Sequence, residues 1–284
     1  MMLDNPSIKV NTIVDNFVGR ISGLDLSAGA DTKTTDFLTR THADYPVLAI
    51  EGQSLDTSTF KAFCRIFGNF EIDHHVTQFA VEGHPELVYM TNRTNDGKPD
   101  PSSAGRGAAW HTDSTFKAHP CTHTVMYAME MPSKGAGTLF ADMYRAYETL
   151  PKDIKDTIGV CSGKHKFSAG PAEGGVIPMT EEQDEMHPPV THPMVRTHPL
   201  TGRKALYVNP LHVYGIVDMP QKEAALLLDR IFTHALKPEF QYCCSYRVGD
   251  LVIWDQRCTW HKAEAAYSVD EYRLLMRAKI SAAV

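Results

Sequence analysis

No stretch of this 284-residue chain approaches the roughly 20 consecutive apolar residues that a membrane-spanning helix needs. The opening residues, M-M-L-D-N-P-S-I-K-V, lack an apolar h-region, so no secretory signal is read and a cytoplasmic location is expected. There is no basic excess. The formal net charge of −6 lacks the electrostatic footprint of a nucleic-acid binder. No C-x-x-C pair occurs among the six cysteines, Cys64, Cys121, Cys161, Cys243, Cys244 and Cys258, and two of these are adjacent. That pattern excludes a zinc ribbon and a disulfide framework, and points to buried thiols in a reducing compartment. Internal repeats, low-complexity tracts and charge runs are also missing.

What remains is an ordinary soluble composition, 43% apolar and 22% charged, with fourteen histidines. The length suffices for a large core, and a single domain over residues 1–284 is expected. Residues 17–26 read as a short strand and a glycine turn, and residues 45–50 as a compact apolar strand. Phe60, Phe63, Cys64 and Phe67 recur at helical spacing, with Gly68 as the stop. Ala224, Leu227, Leu228, Ile231 and Ala235 mark a second amphipathic helix that begins at Pro220. Residues 206–208, 240–247, 251–254 and 272–280 read as strands. Two irregular stretches, 92–107 and 168–193, are expected to be lid loops over one site. Strands outnumber helices without βαβ alternation, which favours an antiparallel double-sheet barrel with peripheral helices.

The chemistry is concentrated in three places. In W-H-T-D-S-T-F, residues 110–116, an extended chain would put His111 and Asp113 on one side. Two imidazoles and one carboxylate on one face form the usual ligand set of non-haem Fe(II) oxygenases. Alone, H-x-D is a common triplet that fits a surface strand equally well. His261, at the end of an apolar strand after Trp254 and Asp255, is the candidate third ligand. Beyond it, Arg273 and Arg277 would share a strand face about 13 Å apart. A buried guanidinium needs an anionic partner. If no protein carboxylate is there, a substrate supplies one, bidentate by preference.

These residues, in order, resemble the taurine dioxygenase and 2,4-dichlorophenoxyacetate dioxygenase (TauD/TfdA) family of Fe(II)/2-oxoglutarate enzymes. The resemblance runs from G-L-D-L at 23–26 to the last strand. It includes I-E-G-Q at 50–53, F-G at 67–68, W-H-T-D-S-T-F, G-A-G-T-L-F-A-D at 135–142, H-P-M-V-R-T-H-P-L-T-G-R-K from His192, and L-Y-V-N at 206–209. It implies a double-stranded β-helix (jelly roll, cupin-like) that uses Fe(II), with 2-oxoglutarate and O2 as co-substrates. It matches His111, Asp113 and His261 to the iron ligands. Thr138 and Arg273 match the residues that hold the distal carboxylate of 2-oxoglutarate, with Trp254 in the same cofactor region. Arg277 matches an arginine for the substrate's anionic group, and Trp110 and Phe116 match positions flanking the iron. Gly107 stands where the taurine enzyme has an asparagine, His212 where it has a phenylalanine, and Asp73, His74 and His75 where a histidine and a tyrosine line its amine pocket. The implied reaction is hydroxylation of a small anionic substrate, carboxylate or aryloxyalkanoate-like, with release of succinate and CO2. A taurine, alkylsulfonate or alkyl sulfate substrate, or desaturation or cyclisation on the same iron, is the alternative. A non-catalytic jelly roll that binds a metal or a small acid is the rival from another class. The family's self-association makes a homo-oligomer the expected assembly.

Overall fold

The computed structural model describes residues 6–94, 96–100, 103, 105–172 and 175–282. Residues 95, 101, 102, 104, 173 and 174, which belong to the two expected lid loops, lie outside the described residues.

A nine-stranded sheet runs in the order Lys9–Val14, Val18–Ser22, Val47–Ile50, Leu251–Asp255, His123–Glu130, Leu274–Ser281, His84–Thr91, Ala80–Val81, with Asn69–Glu71 also paired to Leu274–Ser281. The pairings are antiparallel except Val18–Ser22 with Val47–Ile50. Facing it is a three-stranded sheet, Gln241–Cys244, Thr138–Asp142 and Thr259–Ala263. This is the double-sheet β-helix expected from the sequence, with its helices outside.

The large sheet is buried on both faces, so its central strands read as unbroken apolar runs. Leu48, Ile50, Leu251, Ile253, Met276 and Ile280 pack under the helices Thr32–Asp44 and Thr57–Arg65. Their strand neighbours Val47, Ala49, Val252, Trp254 and Leu275 fill the space between the sheets, with Phe140 from the small sheet. A second core gathers around the helix Gln221–Ala235. No described helix is long and apolar enough to cross a membrane.

Several expectations shift in detail. The helix Thr57–Arg65 is capped by Ile66, so Gly68 is not its stop. Gly68 is required instead because a Cβ there would lie 2.1 Å from the Ser281 carbonyl oxygen. The strand read at 206–208 falls at Lys204–Leu206, and that at 240–247 shortens to Gln241–Cys244. The stretch 168–193 is not wholly irregular. It holds the short helix Glu181–Glu185, closed by a Thr180/Gln183 capping box, and the strand Val190–Pro193. Four of the six cysteines are buried, but Cys243 is exposed, because alternate residues of its strand face opposite ways.

Candidate active site

His111 and His261 meet across an isolated antiparallel bridge, in which each backbone N–H donates to the other's carbonyl at 3.0 and 2.8 Å. Asp113 follows two residues on. Its Oδ1 lies 3.7 Å from His111 Nε2 and its Oδ2 lies 3.8 Å from His261 Nε2. These separations are too long for hydrogen bonds and suit atoms arranged around a shared ion. All three donor atoms lie within 4.8 Å of one another. His111 Nδ1 sits 2.8 Å from the Ala109 carbonyl, so Nδ1 carries the proton and Nε2 keeps its lone pair for a metal. Burial holds both imidazoles below their ordinary pKa, hence neutral. Burial would raise the Asp113 carboxyl, but the Lys279 ammonium, with the Arg277 guanidinium, outweighs it and keeps it ionised.

Asp113 is held from behind. Thr124 Oγ1 and Gln256 Nε2 both donate to Oδ2 at 2.7 Å, and the Asp113 N–H donates to Gln256 Oε1 at 3.0 Å. Gln256→Leu is expected to weaken Fe(II) binding roughly 10–100-fold, the usual cost of losing a partner that orients a ligand. An anaerobic metal titration checks this, and an unchanged affinity would show that Thr124 alone suffices.

The ligand face opens on a cavity that Thr138, Arg273, Arg277, Lys279, His75, Phe116, Phe167 and His212 line. Arg273 is 8% exposed, and no carboxylate pairs with it among the described residues. Its Nε reaches only the Ala136 carbonyl at 3.4 Å, and its guanidinium lies 5.9 Å from the Tyr267 ring centre. Asn92 fixes the backbone there by accepting the Arg273 N–H at 2.9 Å. Tyr246 donates to Thr138 Oγ1 at 2.7 Å, which leaves the Thr138 hydroxyl proton for another acceptor. Arg277, by contrast, has a protein carboxylate: Asp73 Oδ2 at 2.6 Å. The other wall is aromatic. Phe116 and Phe167 ring centres are 5.0 Å apart, with His75 5.3 Å from Phe167 and His212 5.1 Å from Phe116. His212 Nδ1 accepts the Ser168 N–H at 3.2 Å, so its proton sits on Nε2.

Residues 10–279 match the family described as taurine catabolism dioxygenase TauD, TfdA family. The chain belongs to that family. It is similar to the alpha-ketoglutarate-dependent 2,4-dichlorophenoxyacetate dioxygenase of Burkholderia sp. (strain RASC), 32% identical over 278 residues, which covers 92% of this chain and 90% of the relative. It is also similar to pentalenolactone F synthase of Streptomyces arenae, 30% identical, with 81% of each chain covered. Among solved structures it resembles AAD-2 in complex with Mn(II) and N-oxalylglycine, at a TM-score of 0.82 and 29% identity over 96% of this chain and 98% of that one. This TauD/TfdA protein is therefore a 2-oxoglutarate-dependent dioxygenase that uses Fe(II) and O2.

Three expected site positions do not line the cavity of this dioxygenase. Trp254 is fully buried between the sheets, its ring 4.9 Å from His261 and 5.3 Å from Phe140. Strand alternation aims it at the core behind the ligand, off the cavity wall. His74 is exposed, and its carbonyl accepts from Gln183 Nε2 at 3.2 Å. Its neighbour His75 takes the inward place, with Nδ1 2.8 Å from Asp73 Oδ1. Trp110 packs in the core under Lys262, off the cavity wall, whereas Phe116 lines the cavity.

A second group, His42, His123 and Asp255, also has ligand atoms within 4.8 Å of one another. Here a guanidinium occupies the place of a cation. Arg257 Nε donates to Asp255 Oδ1 at 2.8 Å, its Nη2 bonds Oδ2, and the same Nη2 lies 3.2 Å from His123 Nε2. His198 Nε2 adds a contact to Asp255 at 3.0 Å. Burial lowers His42 to about 4 and His123 to about 3, so both are neutral. This cluster is a buried hydrogen-bonded network around Asp255 that braces the turn between Trp254 and Gln256, and within it His42 Nε2 has no hydrogen-bond partner among the described residues.

Sequence reading missed Asn92, Thr124, Tyr246, Gln256 and Lys279, and it offered Asp73 only as a pocket position beside His74 and His75, not as a partner of Arg277. Only Lys279 left a local signal, two residues beyond Arg277 on the same strand face.

Proposed function

We propose that the enzyme oxidises a small organic monocarboxylate with an aromatic body, of the aryloxyalkanoate type. In this reading His111, Asp113 and His261 hold the iron, and Thr138 and Arg273 grip the distal carboxylate of 2-oxoglutarate. Arg277 attracts the substrate's anionic group, and Phe116, His75 and His212 flank the substrate's body. The observation that carries it is the adjacency of cation and ring wall. Asp73 touches Arg277 on one oxygen and approaches His75 on the other, and His75 packs edge-on against Phe116 and Phe167. An anionic head and an aryl body would each find a partner there. The 32%-identical relative acts on 2,4-dichlorophenoxyacetate, which has both parts.

The bound iron would supply the oxygen chemistry that couples decarboxylation of 2-oxoglutarate to replacement of a substrate C–H by C–OH. The protein's own part is positioning. Arg273 and Thr138 fix one end of 2-oxoglutarate, the Arg277 side fixes the substrate anion, and the Nε2–H of His212 offers a donor to an oxygen between them. Hydroxylation of the carbon between an ether oxygen and a carboxylate gives a hemiacetal. It collapses to a phenol and a 2-oxo acid. The reading treats the whole chain as one catalytic domain, with 92–107 and 168–193 as its cover. In support, the Gly107 N–H donates to the Gly175 carbonyl at 2.6 Å, and both residues line the cavity.

A succinate-release screen tests the reading. Aryloxyacetates are expected to stimulate 2-oxoglutarate turnover at least about tenfold over the background, above alkyl sulfates, sulfonates and amino acids. Stimulation by sulfates or sulfonates alone would overturn the carboxylate assignment.

A further inference from the structure

Lys279 is the least expected charge in the molecule. It is 4% exposed, in a strand whose alternate residues Met276, Ala278 and Ile280 enter the apolar core. Strand alternation turns Arg277 and Lys279 to the other face, where both line the active-site cavity. Lys279 Nζ lies 2.7 Å from Asp73 Oδ2, the same oxygen that Arg277 Nη2 meets at 2.6 Å. It lies 3.7 Å from Asp113 Oδ1. Glu71, its register partner on the neighbouring strand, is taken by Lys117 at 2.8 Å. Asp73 is itself 4% exposed. Burial works to raise its carboxyl, but Lys279, His75 and Arg277 outweigh burial and hold it well below the usual carboxylate range.

Two cations therefore share one carboxylate oxygen at the cavity wall. Asp113 is a second, more distant partner of Lys279, but a metal held by His111, Asp113 and His261 would take up that carboxylate's charge and leave one positive charge over at the clamp. An unbalanced charge in so dry a place is costly unless a counter-ion arrives.

We infer that Lys279 and Arg277 form a paired-cation clamp, neutralised by one charge through Asp73, that selects a substrate carrying a single negative charge next to the iron. This rests on the reading of the site as an anion oxidase and deepens it: Lys279 determines specificity, and Asp73 sets the charge the clamp accepts. Removing the Lys279 charge leaves Arg277 and Asp73 balanced, with no surplus for an anion. Removing the Asp73 charge leaves two cations uncompensated, which suits a dianion.

The test is calorimetric titration of the full chain, loaded anaerobically with Fe(II) and 2-oxoglutarate, with three probes of similar shape. These are phenoxyacetate (one charge), phenyl phosphate (two charges near pH 7.5) and neutral phenoxyacetamide. Wild type is expected to bind phenoxyacetate at least about tenfold more tightly than either of the others. Lys279→Met should weaken phenoxyacetate roughly tenfold or more while phenoxyacetamide and 2-oxoglutarate stay within about twofold, and Lys279→Arg should restore it. Asp73→Asn should reverse the order, with phenyl phosphate gaining about tenfold or more over phenoxyacetate. If Lys279→Met does not fold, the Asp73→Asn reversal and the Lys279→Arg retention decide alone. Equal losses for all three probes, no reversal in Asp73→Asn, or no discrimination by wild type would each overturn the clamp. Tight, charge-selective phenoxyacetate binding without stimulated succinate release would leave the clamp standing and overturn the aryloxyalkanoate reading. Turnover of aryloxyacetates by charge-blind variants would do the reverse.

Discussion

His111→Ala is expected to abolish coupled turnover of 2-oxoglutarate and to release the metal, while the fold survives. The reason is that the backbone and the side chain of this residue do separate jobs. The main chain of His111 pairs with that of His261 through two hydrogen bonds, and alanine keeps both. The imidazole contributes only Nε2 to the ligand set and Nδ1 to the Ala109 carbonyl. Losing a group that merely orients a ligand costs roughly 10–100-fold in metal affinity, and losing a ligand of a three-residue set costs more than that. Equilibrium dialysis against Fe(II), far-ultraviolet circular dichroism and succinate release measure the three consequences separately. Normal turnover with a full complement of iron would remove His111 from the ligand set, and with it the reading of the His111–Asp113–His261 face as the metal centre.

The candidate ligand positions were legible because they obey local rules. H-x-D in an extended segment needs only a two-residue period to bring two donors to one side, and the apolar run Leu251–Asp255 pointed toward His261, which sits in the middle of the next strand, Thr259–Ala263, and not at the end of that run. The Arg273/Arg277 pair was legible for the same reason. What was not legible is what the arginines find when they arrive. Asp73 sits about 200 positions away from Arg277 in the chain, in a short irregular stretch between helix and strand, and nothing in its neighbours marks it as a partner. Gln256 and Thr124 are equally silent: Gln256 is an ordinary polar residue made special by a contact spanning 143 positions, and Thr124, 11 positions from Asp113, is a plain threonine in a buried strand. Trp254 illustrates the opposite error. It lies beside the right residues in sequence, but strand parity sends it to the core behind His261. The helix Thr32–Asp44 escaped notice because few of its side chains, Leu38, Thr41 and His42, are buried, and two of these are polar. Its N-cap at Asp31, which accepts the Thr34 N–H, was the better clue.

The two arginines should respond differently to removal, and the difference separates a cofactor site from a balanced internal pair. Arg273→Met is expected to raise the KM for 2-oxoglutarate by roughly 10²–10³, because truncating one partner of a buried charged contact typically costs about 3–5 kcal/mol. The same change is expected to leave the metal-free protein as stable as wild type or more so. In the structure Arg273 has a carbonyl at 3.4 Å and a tyrosine ring but no carboxylate, and burial presses its pKa downward. On the proposed role its burial is a cost that 2-oxoglutarate binding would recover, and an apolar side chain of similar length removes that cost. Arg277→Met should behave the other way, because it strips a partner from the ionised Asp73, although Lys279 remains. Thermal melts of both variants without metal, set beside titrations with 2-oxoglutarate, give the comparison. An Arg273→Met protein that melts far below wild type yet binds 2-oxoglutarate normally would mean that this guanidinium holds the strand Leu274–Ser281 in place, and that the co-substrate's carboxylate is held by other groups.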